Sequence, residues 1–88
     1  KNFKGTKYGE VDIIAKRGRA LIFIEVKKRS TLDDALYAIS QRQQKRIEES
    51  VSAFLKFNPT YQNMDIRFDA IIFNRYFRFK HLKDAWRS

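Results

Sequence analysis

Glu10-Val11-Asp12-Ile13-Ile14-Ala15-Lys16-Arg17-Gly18-Arg19-Ala20-Leu21-Ile22-Phe23-Ile24-Glu25-Val26-Lys27-Lys28 is the stretch that decides the fold. Two apolar, β-branched runs, residues 10–16 and 20–28, flank Arg17, Gly18 and Arg19. Short apolar runs on either side of a glycine turn predict a β-hairpin. If Gly18 and Arg19 form a two-residue turn, Arg17 faces Ala20, and counting outward puts Asp12 opposite Glu25 and Glu10 opposite Lys27. The same register gathers Val11, Ile13, Ala15, Ala20, Ile22, Ile24 and Val26 on a uniformly apolar face. A slip of one residue would set that apolar set against the charges, so burial selects the register.

The other face mixes Glu10, Asp12, Glu25 and Lys27 with Ile14, Leu21 and Phe23, so it is not simply a solvated face. Two acids directly opposite on antiparallel strands have Cβ atoms about 4.5–5.5 Å apart, and like charges there are destabilising. Lys27 compensates in part. A divalent cation held by Asp12, Glu25 and the backbone carbonyl of Val26, with Glu10 as a further candidate ligand, would compensate better. Mg2+, or Mn2+ in its place, prefers such hard oxygen donors and keeps several waters for a phosphate substrate. A metal there polarises a phosphodiester and acidifies bound water, while the Lys27 ammonium orients the nucleophile or stabilises developing charge. The bland alternative is a surface salt-bridge cluster, which contributes little.

Composition agrees with this chemistry and removes others. Nineteen Lys and Arg against ten Asp and Glu give a net charge of +9 on 88 residues, which calls for a polyanionic partner. There is no Cys and only one His, so disulfide frameworks, zinc ribbons and thiol catalysis are excluded. No apolar run approaches the ~20 residues that span a bilayer, and no signal-peptide pattern opens the chain, so a cytoplasmic protein without a membrane partner is expected. The first residue is Lys1 rather than Met, from which a single domain over residues 1–88, cut from a longer chain, is expected.

Downstream the period changes. Ile47, Val51, Phe54 and Leu55 form one apolar stripe of a helix beginning at Ser40, where Ser40 and Gln43 suit a capping box, and ending near Asn58 and Pro59. A third strand is predicted over residues 66–74 and a fourth over 76–79, with a short helical turn over 81–86 covering a core edge. Strand, strand, helix, strand predicts an α/β fold: a mixed four-stranded sheet with a crossover helix, strands two and three parallel.

The run Gly9-Glu10-Val11-Asp12-Ile13-Ile14-Ala15 followed by Phe23-Ile24-Glu25-Val26-Lys27-Lys28-Arg29 resembles the signature of the YraN-like bacterial family, an uncharacterised branch of the PD-(D/E)XK nuclease superfamily. It is also similar to the archaeal Holliday-junction resolvases. Arg46-Ile47, Ala53-Phe54-Leu55, Arg67-Phe68-Asp69-Ala70 and His81-Leu82-Lys83-Asp84-Ala85-Trp86 extend the likeness over nearly the whole chain. The resemblance implies a restriction-endonuclease-like, tRNA-endonuclease-like core in which Asp12 and Glu25 bind metal, Lys27 is the catalytic lysine and Glu10 is a family-typical neighbour. The chain departs from the pattern twice. The family's N-terminal helix, which belongs ahead of Asn2-Phe3, is expected to be absent, and Gln43 stands where a helix Lys is expected.

The expected function is therefore a Mg2+-dependent endonuclease acting on DNA, by analogy with the resolvases on branched DNA, and as a homodimer because two strands need two sites. Lys16, Arg17, Arg19, Lys28 and Arg29, with Lys1, Lys4 and Lys7, crowd the hairpin and its approaches and are expected to hold the phosphate backbone. Gln43 either reaches a phosphate or caps the helix. Arg67 with Asp69 is expected to be an ion pair, and His81 to pack or lie on the surface. The competing functions are a non-catalytic nucleic-acid-binding module of the same fold and a basic protein-interaction domain.

Overall fold

The computed structural model describes residues 11–30 and 39–86. Strand β1 (Ile13–Arg17) and strand β2 (Ala20–Lys28) form the expected hairpin, in the expected register from Ile13↔Ile24 to Arg17↔Ala20. Gly18 takes the left-handed conformation at φ 59°, which glycine adopts without a Cβ penalty. Helix α1 (Gln41–Phe57) and a single 3-10 turn (Pro59–Tyr61) lead into strand β3 (Asp65–Phe73), which pairs parallel with β2. Strand β4 (Phe79–Trp86) pairs antiparallel with β3, completing a mixed sheet of order β1-β2-β3-β4. Among the described residues the fold is α/β, a mixed four-stranded sheet with a crossover helix, consistent with the restriction-endonuclease-like core expected from the sequence. No helix among the described residues is long and apolar enough to cross a membrane.

Helix α1 starts where its cap says it should. Ser40 is extended, and its Oγ accepts the N–H of Gln43 at 3.1 Å. At the other end Asn58 Nδ2 donates to the Phe54 carbonyl at 2.9 Å, and Pro59 prevents continuation. The stripe of α1 buries Ile47 and Val51 against Leu21, Phe23, Phe68, Ala70 and Ile72 of the sheet. Phe54 meets Phe23 edge-on at 5.7 Å and stacks on Tyr61 at 6.0 Å. Ala15, Ile22 and Ile24, with Ile13, Ala20, Val26 and Ile71 around them, form a smaller cluster on the reverse face. The main core thus lies on the face that also bears the charges.

Two expectations fail. Val11 does not join Ile13 on the reverse face but packs with Ile14, Leu21 and Phe23 under α1. The Asp12 N–H donates to the Ile24 carbonyl at 3.2 Å, although Ile24 already faces Ile13. Two residues of the first strand address one of the second, the arrangement of a β-bulge, and the extra residue turns Val11 over.

The strand at 76–79 and the helical turn at 81–86 are replaced by a tight turn and a full strand, β4. Asn74 Oδ1 accepts the N–H groups of Tyr76 and Arg78, and that turn chemistry spends the residues assigned to a strand. In β4, Leu82 faces Ala70 and Trp86 faces Phe68, so the ladder is interrupted by extra residues between them, with Asp84 at φ 53°. Leu82 and Trp86 reach the same core face at a spacing that suggests a helix only because the strand is bulged.

Candidate metal centre

Strand alternation presents Leu21, Phe23, Glu25 and Lys27 on the α1 face of β2. The first two lie beneath the helix, and Glu25 and Lys27 emerge beside its first turn. Glu25 is only 4% exposed. Its Oε2 accepts a hydrogen bond from Gln43 Nε2 at 2.7 Å and lies 3.9 Å from Lys27 Nζ. Asp12, at the bend made by the bulge, turns its carboxylate to the same place: Oδ2 accepts the N–H of Val26, the residue after Glu25, at 2.9 Å. Because a strand residue directs its N–H and C=O to the same neighbour, the Val26 carbonyl is turned to the Asp12 side as well.

The electrostatics follow from this crowding. Burial pushes the Glu25 carboxyl up, and the hydrogen bond and charge of Asp12 push it further, while Lys27 and the Val26 N–H pull it back. Together they leave it pushed up to about 7. On the acid side of that value the two carboxyl groups share a proton; on the basic side two negative charges face each other. Among the described residues no group of three or more His, Cys, Asp and Glu gathers to hold a metal. Glu10, expected as a neighbour of the site, lies outside the described residues.

Asp12, Glu25, Val26 and Lys27 are therefore brought together. The basic residues are not. Lys28, the last residue of β2, and Arg29 just beyond it follow the site, but Lys16, Arg17 and Arg19 sit at the Gly18 turn, at the opposite end of the hairpin. There Lys16 and Arg19 line a separate cleft with Tyr61 and Met64. Lys1, Lys4 and Lys7 lie outside the described residues.

Gln43 has a role that the sequence reading did not give it. Its backbone takes the Ser40 cap, but its side chain does not complete a capping box; it fixes Glu25 from across the core face. Its place three residues into the helix was legible, whereas its distance from Glu25 depends on how α1 lies over β2.

Arg67 and Asp69 do form the expected ion pair, on the reverse face of β3. Asp69 is fully buried and accepts from Arg67 Nε and a terminal guanidinium nitrogen, both at 2.9 Å. It also bonds His81 Nε2 at 2.8 Å and the Asp84 N–H at 2.9 Å. The last contact secures the bulged segment of β4.

The profile of the family described as "Uncharacterised protein family UPF0102" matches residues 1–73. A UPF0102 protein of Rhodopseudomonas palustris (strain BisA53) is 49% identical over 67 residues, covering 76% of this chain and 52% of the relative. One from Paramagnetospirillum magneticum is 39% identical over 87 residues, covering 99% of this chain and 67% of the relative. One from Nitrobacter winogradskyi is 46% identical over 67 residues, covering 76% and 57%. The chain thus spans about half to two thirds of the length of these curated relatives.

Proposed function

The chain belongs to the uncharacterised protein family UPF0102, the YraN-like group, and we propose that it forms the catalytic centre of a Mg2+-dependent endonuclease that hydrolyses phosphodiester bonds in DNA. The observation that carries this reading is the gathering of two acids beside Lys27: Asp12 Oδ2 accepts the Val26 N–H next to buried Glu25, and Glu25 Oε2 lies 3.9 Å from Lys27 Nζ. Like charges brought together in a partly buried place are destabilising unless a cation answers them. Hard oxygen donors, one of them neutral in the Val26 carbonyl, suit Mg2+ or Mn2+ and no softer metal. When bound, such an ion supplies Lewis-acid polarisation of the phosphate and lowers the pKa of water.

The chain's own groups do the rest. Asp12, held by the Val26 N–H, and Glu25, held by Gln43, present ligand oxygens in fixed orientations. The Lys27 ammonium lies within reach of a phosphate at the carboxylates and stabilises negative charge as it develops. The excess of basic side chains supplies backbone affinity without sequence information. A homodimer, with one centre for each strand, is the assembly that cutting a branched or duplex substrate calls for.

The test is cleavage of linear and branched DNA by the full-length protein with Mg2+, with Mn2+ and with chelator. Asp12→Asn and Glu25→Gln are expected to lose metal binding and cutting together. Lys27→Ala should keep the metal while its rate falls about 100- to 1,000-fold. Cleavage that survives both carboxylate substitutions would put the chemistry elsewhere, and DNA binding without cleavage would favour a non-catalytic module.

A further inference from the structure

Most aromatic side chains of the sheet and helix face the core, but the turn between β3 and β4 and the first residue of β4 send three into solvent. Tyr76 is 65% exposed, Phe77 96% and Phe79 69%. This is a built turn. Asn74, itself buried, accepts the Tyr76 and Arg78 N–H groups on its Oδ1, donates its own N–H to the Arg78 carbonyl and accepts the Phe77 N–H. Phe77 at its tip is held at φ 62°, a region costly for a bulky side chain. At the base of the turn lies a cavity of about 460 Å³ whose lining among the described residues is Lys28, Arg29, Ser30, Arg75 and Tyr76, none of them acidic. The Arg75 guanidinium lies 5.1 Å from the Tyr76 ring centre and donates to its hydroxyl at 2.9 Å.

We propose that this turn and cavity bind an unpaired stretch of DNA strand, with Tyr76 and Phe77 stacking on bases and Arg75 and Lys28 holding the backbone. Charge selects the occupant: aromatic faces set among arginines and a lysine suit bases linked by phosphates, whereas an apolar protein partner would have to desolvate those cations. Stacking also selects the form of the DNA. In a duplex the base faces are already covered by one another, so exposed rings reward only unpaired bases. Lys28 is three residues beyond Glu25 on β2, ~10 Å at strand rise, and alternation turns it to the opposite face, so a strand held in the cavity reaches the carboxylates by passing the end of β2, a path of several nucleotides. The inference rests on the nuclease reading and narrows its substrate to DNA with an unpaired segment beside the cut, as in a fork, flap or junction.

Binding of the full chain to labelled single-stranded and blunt duplex DNA of equal length, by fluorescence anisotropy with chelator present, tests it. Single strand should bind the more tightly. Tyr76→Ala and Phe77→Ala should each weaken single-strand binding at least about fivefold and leave duplex binding and the unfolding temperature unchanged. Phe77→Trp should restore the loss. Arg75→Ala should reduce the slope of log affinity against log salt by about 0.7, the contribution of one phosphate contact to a single strand. Wild-type protein that binds neither DNA at low salt would sink this inference and the nuclease reading together. Wild-type binding indifferent to both alanine substitutions overturns this inference alone, as does light scattering that shows Phe77→Ala dissolving a dimer while single-strand affinity persists.

Discussion

Glu25 and Asp69 are both buried carboxyl groups near the middle of adjacent strands, on opposite faces of one sheet, yet their surroundings drive them in opposite directions. Burial alone would raise both. Around Asp69 it is outweighed by the Arg67 guanidinium, the Asp84 N–H and His81, which hold the carboxyl below its ordinary range. Around Glu25 burial is reinforced by another carboxyl, Asp12, and Lys27 at 3.9 Å offsets it only in part. Asp69 is satisfied by the fold itself and needs nothing from outside. Glu25 and Asp12 form an arrangement that, on the proposed reading, a cation would stabilise, which is how a structural acid would differ from a ligand.

The sharpest way to break the comparison is to neutralise the satisfied acid. Asp69→Asn leaves Arg67 and His81 facing a group that cannot answer them and weakens the hold on the β4 bulge. Breaking a buried pair costs about 3–5 kcal/mol, and because Arg67 and His81 are partly exposed a loss near the lower end, about 3 kcal/mol, is expected in urea unfolding at pH 7. A loss below about 1 kcal/mol would show that the network contributes no more than a surface pair.

Neutralising Glu25 should do the reverse. Its folded pKa of about 7 lies above the ordinary 4.5, so between these values the folded chain binds more protons than the unfolded one. Stability without metal should therefore fall as pH rises from about 4.5 to 7. Glu25→Gln should remove that slope and stabilise the metal-free protein at pH 8 by about 2 kcal/mol. The Asp69 contribution runs the other way: it is present at neutral pH and is lost as pH falls below the ordinary carboxylate range. Thermal unfolding across pH separates the two, since Glu25→Gln should flatten the neutral limb and Asp69→Asn the acid limb.

Metal binding probes the same proton. If Mg2+ displaces the proton shared by Asp12 and Glu25, its apparent affinity by calorimetry should rise about tenfold per pH unit below 7 and level off above. A flat profile would detach the metal from this pair. The smallest effect is expected at Gln43. Gln43→Ala removes the hydrogen bond to the Glu25 carboxylate, should cost about 1 kcal/mol of stability at pH 8, and should move the midpoint of the Mg2+ profile to higher pH. Gln43→Glu would add a third carboxyl and should move that midpoint further in the same direction.

Much of this was written along the chain. The alternation in residues 10–28 and the glycine between its halves were enough for the hairpin, its register from Ile13 inward and the placing of Glu25 with Lys27, because a strand's period is strictly two and only one register buries the apolar set. The helix ends were equally legible, since Ser40 and Asn58 with Pro59 act on backbone groups within a few residues. What local pattern could not settle depended on contacts between distant segments. The bulge at Asp12, which sends Val11 under the helix, breaks the period that had been extrapolated through it. Strand β4 conceals itself behind a bulge whose N–H is answered by Asp69 fifteen residues away. Gln43 meets Glu25 only because α1 crosses the sheet at a particular height, and the basic residues part company because the two ends of a strand are far apart however close they stand in the sequence. Within an unbroken strand the sequence determined which groups share a face; packing decided where the strands bulge and which groups meet, and therefore which acid is answered by cations and which lies beside a second acid.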